Sequence, residues 1–365
     1  MNIADKRTPG RAAGLILGRF RPRALPILSG TLAVAAAFAA AGCSAFSGNS
    51  QNVALAGQTM GASPMSTSTM SGSARVTNGM AGGYQVLTLN DRKDLTFNQL
   101  LGINNNGVIA GYFGSGEAGH PNKGYVLRPP FAQGDFGNEN FPGSVQTQVT
   151  GLNDTGITVG FFSTTNAANA ADNNNIAFWR AGGRYHVVRF PRSSAKPPVN
   201  QLLGVNDSGT AVGFYNDSKG NAHGYAYNLG TRRFKMITVQ GATSVTATAI
   251  NNLGAAAGFY TNAQGATVSF LQFHHGRTIT LAVPGASATQ AFGLNDNGEV
   301  VGAYTAGTGD AAVTHGFTWM NGTFTTVNYP MASSTTINGV NDEGDIVGFY
   351  TDAKGNTDGF VGFPS

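Results

Sequence analysis

The chain has 365 residues, 52 of them glycine and only 11% charged, with a formal net charge of +4. The positive excess is confined to the front. Residues 1–43 hold Lys6, Arg7, Arg11, Arg19, Arg21 and Arg23 against Asp5, a net of +5 that leaves −1 for the remainder and excludes a nucleic-acid footprint there. Cys43 stands alone, which excludes an intramolecular disulfide.

In chain order, the basic front is followed by the apolar run LPILSGTLAVAAAFAAAG and then by Cys43. A positive segment, a short apolar segment and small residues before a cleavage point describe an export signal over 1–42. The ending Ala40-Ala41-Gly42-Cys43 resembles a bacterial lipobox, which implies a lipidated Cys43 as the mature N-terminus and an outer-membrane lipoprotein, attached to the membrane only through its lipid. Ordinary cleavage and secretion, or an uncleaved anchor, is the alternative. Residues 43–81 form the next unit, Cys43 and a stretch of Ser, Gly, Thr, Ala and Met with one charge, Arg75. Such composition buries too little apolar surface to offset its ordering entropy and reads as a disordered tether. Met60, Met65, Met70 and Met80 within it read as composition, not as a thioether copper site.

Residues 82–365 are written in repeats. Six copies run LGINNNGVIAGYF (101–113), TGLNDTGITVGFF (150–162), LGVNDSGTAVGFY (203–215), TAINNLGAAAGFY (248–260), FGLNDNGEVVGAY (292–304) and NGVNDEGDIVGFY (338–350). Their asparagines, Asn104, Asn153, Asn206, Asn251, Asn295 and Asn341, are 49, 53, 45, 44 and 46 residues apart, a period in the range of propeller blades. The fifth copy predicts four strands: ATQAFGLN (288–295), EVVGAY (299–304), HGFTWM (315–320) and TFTTVNY (323–329). The N-D-x-G between the first two predicts a compact hairpin loop, with Gly107, Gly156, Gly209, Gly254, Gly298 and Gly344 left-handed.

The last copy stops at GFVGFPS (359–365), after its third strand, and the missing fourth stands at the front as Gly83–Leu89. An N-terminal strand that completes the last repeat predicts a closed, all-β, six-bladed propeller of four-stranded antiparallel blades. The third strands begin with Lys123-Gly124-Tyr125, Ile176-Ala177-Phe178, His223-Gly224-Tyr225, Val268-Ser269-Phe270, His315-Gly316-Phe317 and Asp358-Gly359-Phe360. With G-x-N-D-x-G-x-x-V-G-x-Y, they make residues 82–365 resemble the HAF repeat family of bacterial extracellular proteins. The resemblance implies fold and location. It brings no catalytic residues, and only His223 and His315 keep the family's histidine.

In a four-stranded blade the loops after the second and fourth strands share one face. Here those loops vary in length and chemistry, whereas the other two sets are tight and repetitive, so the variable face is expected to bind. Five residues before each repeat asparagine stand Gln99, Gln148, Gln201, Thr246, Gln290 and Thr336, polar among apolar neighbours. A closed ring would set them around the mouth of a central channel on that face, where amides and hydroxyls suit a glycan. The competing reading is that they only solvate the channel. His223 and His315 fall on different repeats and read as structural, and Asp154, Asp207, Asp296 and Asp342 read as turn residues, not as metal ligands.

No catalytic, metal or cofactor motif appears. The expected function is a monomeric, non-catalytic binding module at the cell envelope, with a glycan or an envelope protein as ligand. The alternative is a propeller glycosidase or lyase acting at the channel mouth, which requires a carboxylate pair that the sequence does not place there.

Overall fold

The computed structural model describes residues 79–365 except 118 and 166–171. The export signal, Cys43 and the tether up to residue 78 lie outside the described residues. The described chain is all-β, with two single-turn 3-10 segments, Gln133–Asp135 and Gly309–Ala311. No helix among the described residues is long and apolar enough to cross a membrane.

The described strands form five hydrogen-bonded sheets, one of them eight-stranded; divided at its single parallel pair, they make six antiparallel groups, called sheets one to six. Sheet one runs Asn98–Ile103, Ile109–Phe113, Lys123–Leu127 and Phe136–Asn138; sheet two runs Gln146–Leu152, Thr158–Ser163, Ile176–Ala181 and Arg184–Val188. Sheet three runs Asn200–Val205, Thr210–Asn216, Ala222–Asn228 and Phe234–Met236; sheet four runs Ala242–Ile250, Ala256–Asn262, Thr267–Gln272 and Thr278–Leu281. Sheet five runs Ala288–Leu294, Val300–Ala306, Val313–Met320 and Thr323–Val327, joined to sheet four by one parallel pair, Thr267 with Ala288. Sheet six takes Ser334–Val340, Ile346–Thr351 and Thr357–Pro364, and its fourth strand is Tyr84–Thr88 from the other end of the chain. A fifth strand, Gly79–Ala81, pairs outside it, so strand structure takes in the last three residues of the expected tether.

Each first strand carries a β-bulge at the same place, as between Leu202 and Gly204, and the six bulges explain the last glycine of the repeat, that of V-G-x-Y. Across the bulge a backbone carbonyl crowds the second strand, and a Cβ on Gly213 would stand 1.9 Å from Gln201 O. The turn glycine has a different reason: Gly209 has φ +73°, where side chains are strained. Neighbouring first strands also meet closely, since a Cβ on Gly151 would lie 3.2 Å from Gly204 Cα.

The repeat asparagine does two jobs. Asn104 Oδ1 accepts the N–H of Val108 (2.9 Å), closing its own turn, while its Nδ2 donates to Asn153 O (2.9 Å) on the next sheet. Asn153, Asn206, Asn251 and Asn295 repeat the second bond at 2.9–3.0 Å, onto Asn206, Asn251, Asn295 and Asn341. The residue after each asparagine adds a second course. Asn105 N–H donates to Asp154 Oδ1, Asp154 to Asp207, Asp207 to Asn252, Asn252 to Asp296, Asp296 to Asp342, and Asp342 back to Asn105 Oδ1.

Further out, aromatic pairs staple sheet to sheet. Phe141 stacks on Phe162 (3.8 Å), Phe190 on Tyr215 (4.0 Å) and Tyr329 on Tyr350 (3.7 Å), each joining the tail of one sheet to the second strand of the next. Such pairs contribute about 0.5–1.5 kcal/mol each beyond the area they bury.

Candidate functional groove

Two repeat positions place aromatic rings in joints between sheets. One is the tail residue just described: Phe141, Phe190 and Tyr329. The other opens the fourth strand and faces the preceding sheet. Phe136, Tyr185, Phe234 and Phe324 hold it, opposite Leu127, Arg180, Tyr227 and Trp319.

At the joint between sheets three and four both positions are vacated. The tail residue is Val239, and the fourth strand opens with Thr278, opposite Gln272. A groove of about 970 Å³ occupies the space where the rings would be.

One wall is the outer edge of sheet three, with Lys235, Met236, Thr238 and Gln240; the other is sheet four, with Tyr260, Gln272, Thr278 and Thr280. Tyr260, whose counterpart Tyr215 carries the stacked ring of Phe190, instead lies 3.3 Å from Thr280 Oγ1 through its hydroxyl, as Tyr304 lies 2.9 Å from Thr326 Oγ1 in the next joint. The turn Phe273-His274-His275-Gly276 closes one end. It is shaped by Gly276 at φ +88° and by Gly276 N–H donating to Phe273 O (2.8 Å). His274 packs over the α-carbon of Gly254, where a Cβ would come 2.7 Å from Nδ1. Met236, Phe273 and Leu253 beside this end are among the exposed large apolar side chains, so the groove offers apolar contact and hydrogen-bonding groups together.

The expected mouth residues are placed differently from one another. Gln99, Gln148, Gln201 and Thr246 are buried, and Gln290 and Thr336 are half-buried. Tyr112 donates its hydroxyl to Gln99 Oε1 (2.8 Å) within sheet one. Gln148 Nε2 donates to Asn122 Oδ1 (2.9 Å) and Gln201 Nε2 to Asn175 Oδ1 (3.2 Å), each reaching the preceding sheet. Two of the six are thus joints between sheets. Gln148→Ala removes one such bond from a buried site, for which about 1–3 kcal/mol is expected. A lowered midpoint in urea unfolding would register it; an unchanged midpoint would free Gln148 for another role.

The four turn aspartates line a small cavity of about 100 Å³ with Asn105 and Asn252. Their carboxylates are already engaged. The Oδ1 atoms accept the backbone N–H bonds of the ring, and the Oδ2 atoms of Asp154 and Asp342 accept from Asn105 Nδ2, those of Asp207 and Asp296 from Asn252 Nδ2. The arrangement is a clasp. Among the described residues no three His, Cys, Asp or Glu side chains group to hold a metal ion.

A second charged cluster joins sheets one and two. Arg180 donates to Glu139 Oε1 (2.8 Å) and Tyr185 donates its hydroxyl to Oε2 (3.3 Å). Burial outweighs Arg180 and raises the Glu139 pKa; burial, then Glu139, pushes Tyr185 up to about 12. His223 contacts Asp217 Oδ2 (3.0 Å), and His315 contacts the Asn328 side chain (3.0 Å). Burial favours the neutral Asp217, but hydrogen bonds from His223, Lys219 and Asn221 prevail and hold its pKa at about 2.

No family model and no curated protein sequence matches the chain. Among solved structures, a protein of unknown function from Dyadobacter fermentans is 11% identical at TM-score 0.50, covering 78% of this chain and 100% of its own. AofleA from Arthrobotrys oligospora is 10% identical at TM-score 0.49, covering 76% and 85%. TolB from Acinetobacter baumannii is 12% identical at TM-score 0.46, and the match covers 70% of this chain but only 63% of TolB. The likeness to the Dyadobacter protein is one of fold alone.

Proposed function

We propose that the protein is a non-catalytic binding module at the cell envelope, a six-bladed β-propeller of HAF-type repeats that holds a glycan or an envelope protein in the groove between sheets three and four. Closure of the ring is supported by the hydrogen bonds that return from Asp342 to Asn105 and by the pairing of Tyr84–Thr88 with Thr357–Pro364. Export, and a lipid on Cys43, are supported by the basic-then-apolar front and the Ala40-Ala41-Gly42-Cys43 ending.

The binding reading is carried by one observation: two aromatic fillers are absent from the same joint, and hydroxyl, amide and imidazole groups stand in the space. Drift in unconstrained loops does not account for this, because both positions lie next to the paired core of the repeat.

The test is to refill the groove. Thr278→Phe with Val239→Phe writes the rings of the aromatic joints into the joint between sheets three and four. In the full-length chain on a glycan array, the double variant should lose the parent's ligand by tenfold or more, about 1.4 kcal/mol. Its melting temperature should stay level or rise, since the rings restore aromatic pairs. Undiminished binding by a well-folded double variant would remove the groove from the function.

A further inference from the structure

The charge around this groove is one-sided. Residues 218–295 contain no Asp or Glu, and hold Lys219, Arg232, Arg233, Lys235 and Arg277 together with His223, His274 and His275. The rest of the chain after residue 43 is acidic, with a net of −6. The groove lies inside the positive stretch. Its lining includes Lys235 on one wall and His274 and His275 on the other, with no carboxylate among them. All three side chains are exposed, and the Arg277 guanidinium sits over the Phe273 ring at 5.6 Å beside them.

We infer that the ligand of the groove is an acidic saccharide, one carrying carboxylate or sulfate groups. This rests on the groove being the binding site. Local positive charge on an otherwise acidic surface draws an anion to this joint and away from the others. The remaining lining matches sugar. Thr238, Gln240, Gln272, Thr278 and Thr280 donate and accept hydrogen bonds without charge, as ring hydroxyls require, and Tyr260 and Phe273 offer apolar ring surface.

The experiment uses the full-length chain and an array of uronate-bearing, sulfated and neutral oligosaccharides, with polyglutamate as an acidic polymer that is not a sugar. The best acidic sugar is then compared with its carboxyl-reduced or desulfated counterpart, expected to bind at least about tenfold more weakly. That gap should narrow as salt rises from about 0.05 M to about 0.5 M, where screening shortens the reach of charge. Lys235→Gln, and His274→Gln with His275→Gln, alter exposed side chains and should each reduce binding of the acidic sugar several-fold while the melting temperature holds.

Equal affinity for the uncharged counterpart, equal binding of polyglutamate, or an array on which no acidic sugar is retained overturns the inference. If a neutral sugar binds and Thr278→Phe with Val239→Phe abolishes it, the groove keeps its role and only its preference for anions falls. If an acidic sugar binds and refilling changes nothing, the site itself is elsewhere.

Discussion

Gly213→Ala is expected to cost more than about 3 kcal/mol, above the usual range for overpacking, because the obstacle is backbone. The added Cβ would stand 1.9 Å from Gln201 O and 2.9 Å from Leu202 Cα, and real contacts of this kind do not fall below 3.0 Å. Neither atom belongs to a side chain that can swing away. The Gln201 carbonyl is pushed towards sheet three's second strand by the bulge between Leu202 and Gly204, and that bulge is itself held by contacts to the next sheet. The same geometry recurs at Gly111, Gly160, Gly258, Gly302 and Gly348, at 2.4, 2.1, 2.1, 2.0 and 2.0 Å from the carbonyls of Gln99, Gln148, Thr246, Gln290 and Thr336.

Gly209→Ala is the control. Gly209 is left-handed at φ +73°, yet the nearest atom to its Cβ is 4.0 Å away, so its cost is conformational only, about 1–2 kcal/mol. Urea unfolding of both variants separates the two terms. Equal destabilisation would mean that the bulge yields and the close approach is no constraint.

This glycine also marks how far the sequence could be read. V-G-x-Y was visible as a repeat, and the strands around it fall close to expectation: EVVGAY (299–304) overlaps Val300–Ala306, and HGFTWM (315–320) lies in Val313–Met320. The turn glycines are left-handed, as the N-D-x-G pattern implied. The contacts between repeats were not legible. Asn104 has the same local turn role whether or not a second sheet lies beside it, so its bond to Asn153 O left no local mark.

The buried glutamines were read as a mouth because they are polar among apolar residues. Two of them reach Asn122 and Asn175, which sit in loops that follow no repeat pattern. The groove did leave a signal. TITL, YHVV and FKM all pass as strands, but Thr278 stands where Phe136, Tyr185, Phe234 and Phe324 face the preceding sheet, and Val239 faces it in place of Phe141, Phe190 and Tyr329. Aligning the fourth strands by position, instead of by strand propensity, exposes it. Gly79–Ala81 escaped because Gly-Met-Ala carries little β preference, and its pairing depends on Tyr84–Thr88 being there first.

Deleting Gly79–Thr88 is expected to abolish the cooperative fold, whereas deleting Gly79–Ala81 alone should change it little. Among the described residues, Tyr84–Thr88 is the strand that covers the edge of Thr357–Pro364, pairing from Tyr84 with Pro364 to Thr88 with Phe360. Val86 is buried against Val327, Tyr329 and Phe360, and Leu87 packs beside Val361, so the strand carries apolar contact as well as backbone bonds. A buried valine alone accounts for about 1.5–3 kcal/mol. Thr88 Oγ1 lies 2.8 Å from Tyr329 OH and 3.0 Å from Tyr350 OH, holding together the rings that join sheets five and six. Without the strand these hydroxyls and the open edge face water, and an unpaired edge templates association between copies.

Leu87→Pro probes the same pairing without shortening the chain: Leu89 N–H donates to Gly359 O and Ser365 N–H to Gly83 O, which puts the alternate residue Leu87 on the bonded side, and proline cannot donate to the ladder. Thermal melting followed by circular dichroism, with light scattering for aggregation, reads all three. A parent-like transition in both the longer deletion and Leu87→Pro would show that sheet six stands without its N-terminal strand. Loss of the fold in the three-residue deletion would move the essential contact outward to Gly79–Ala81.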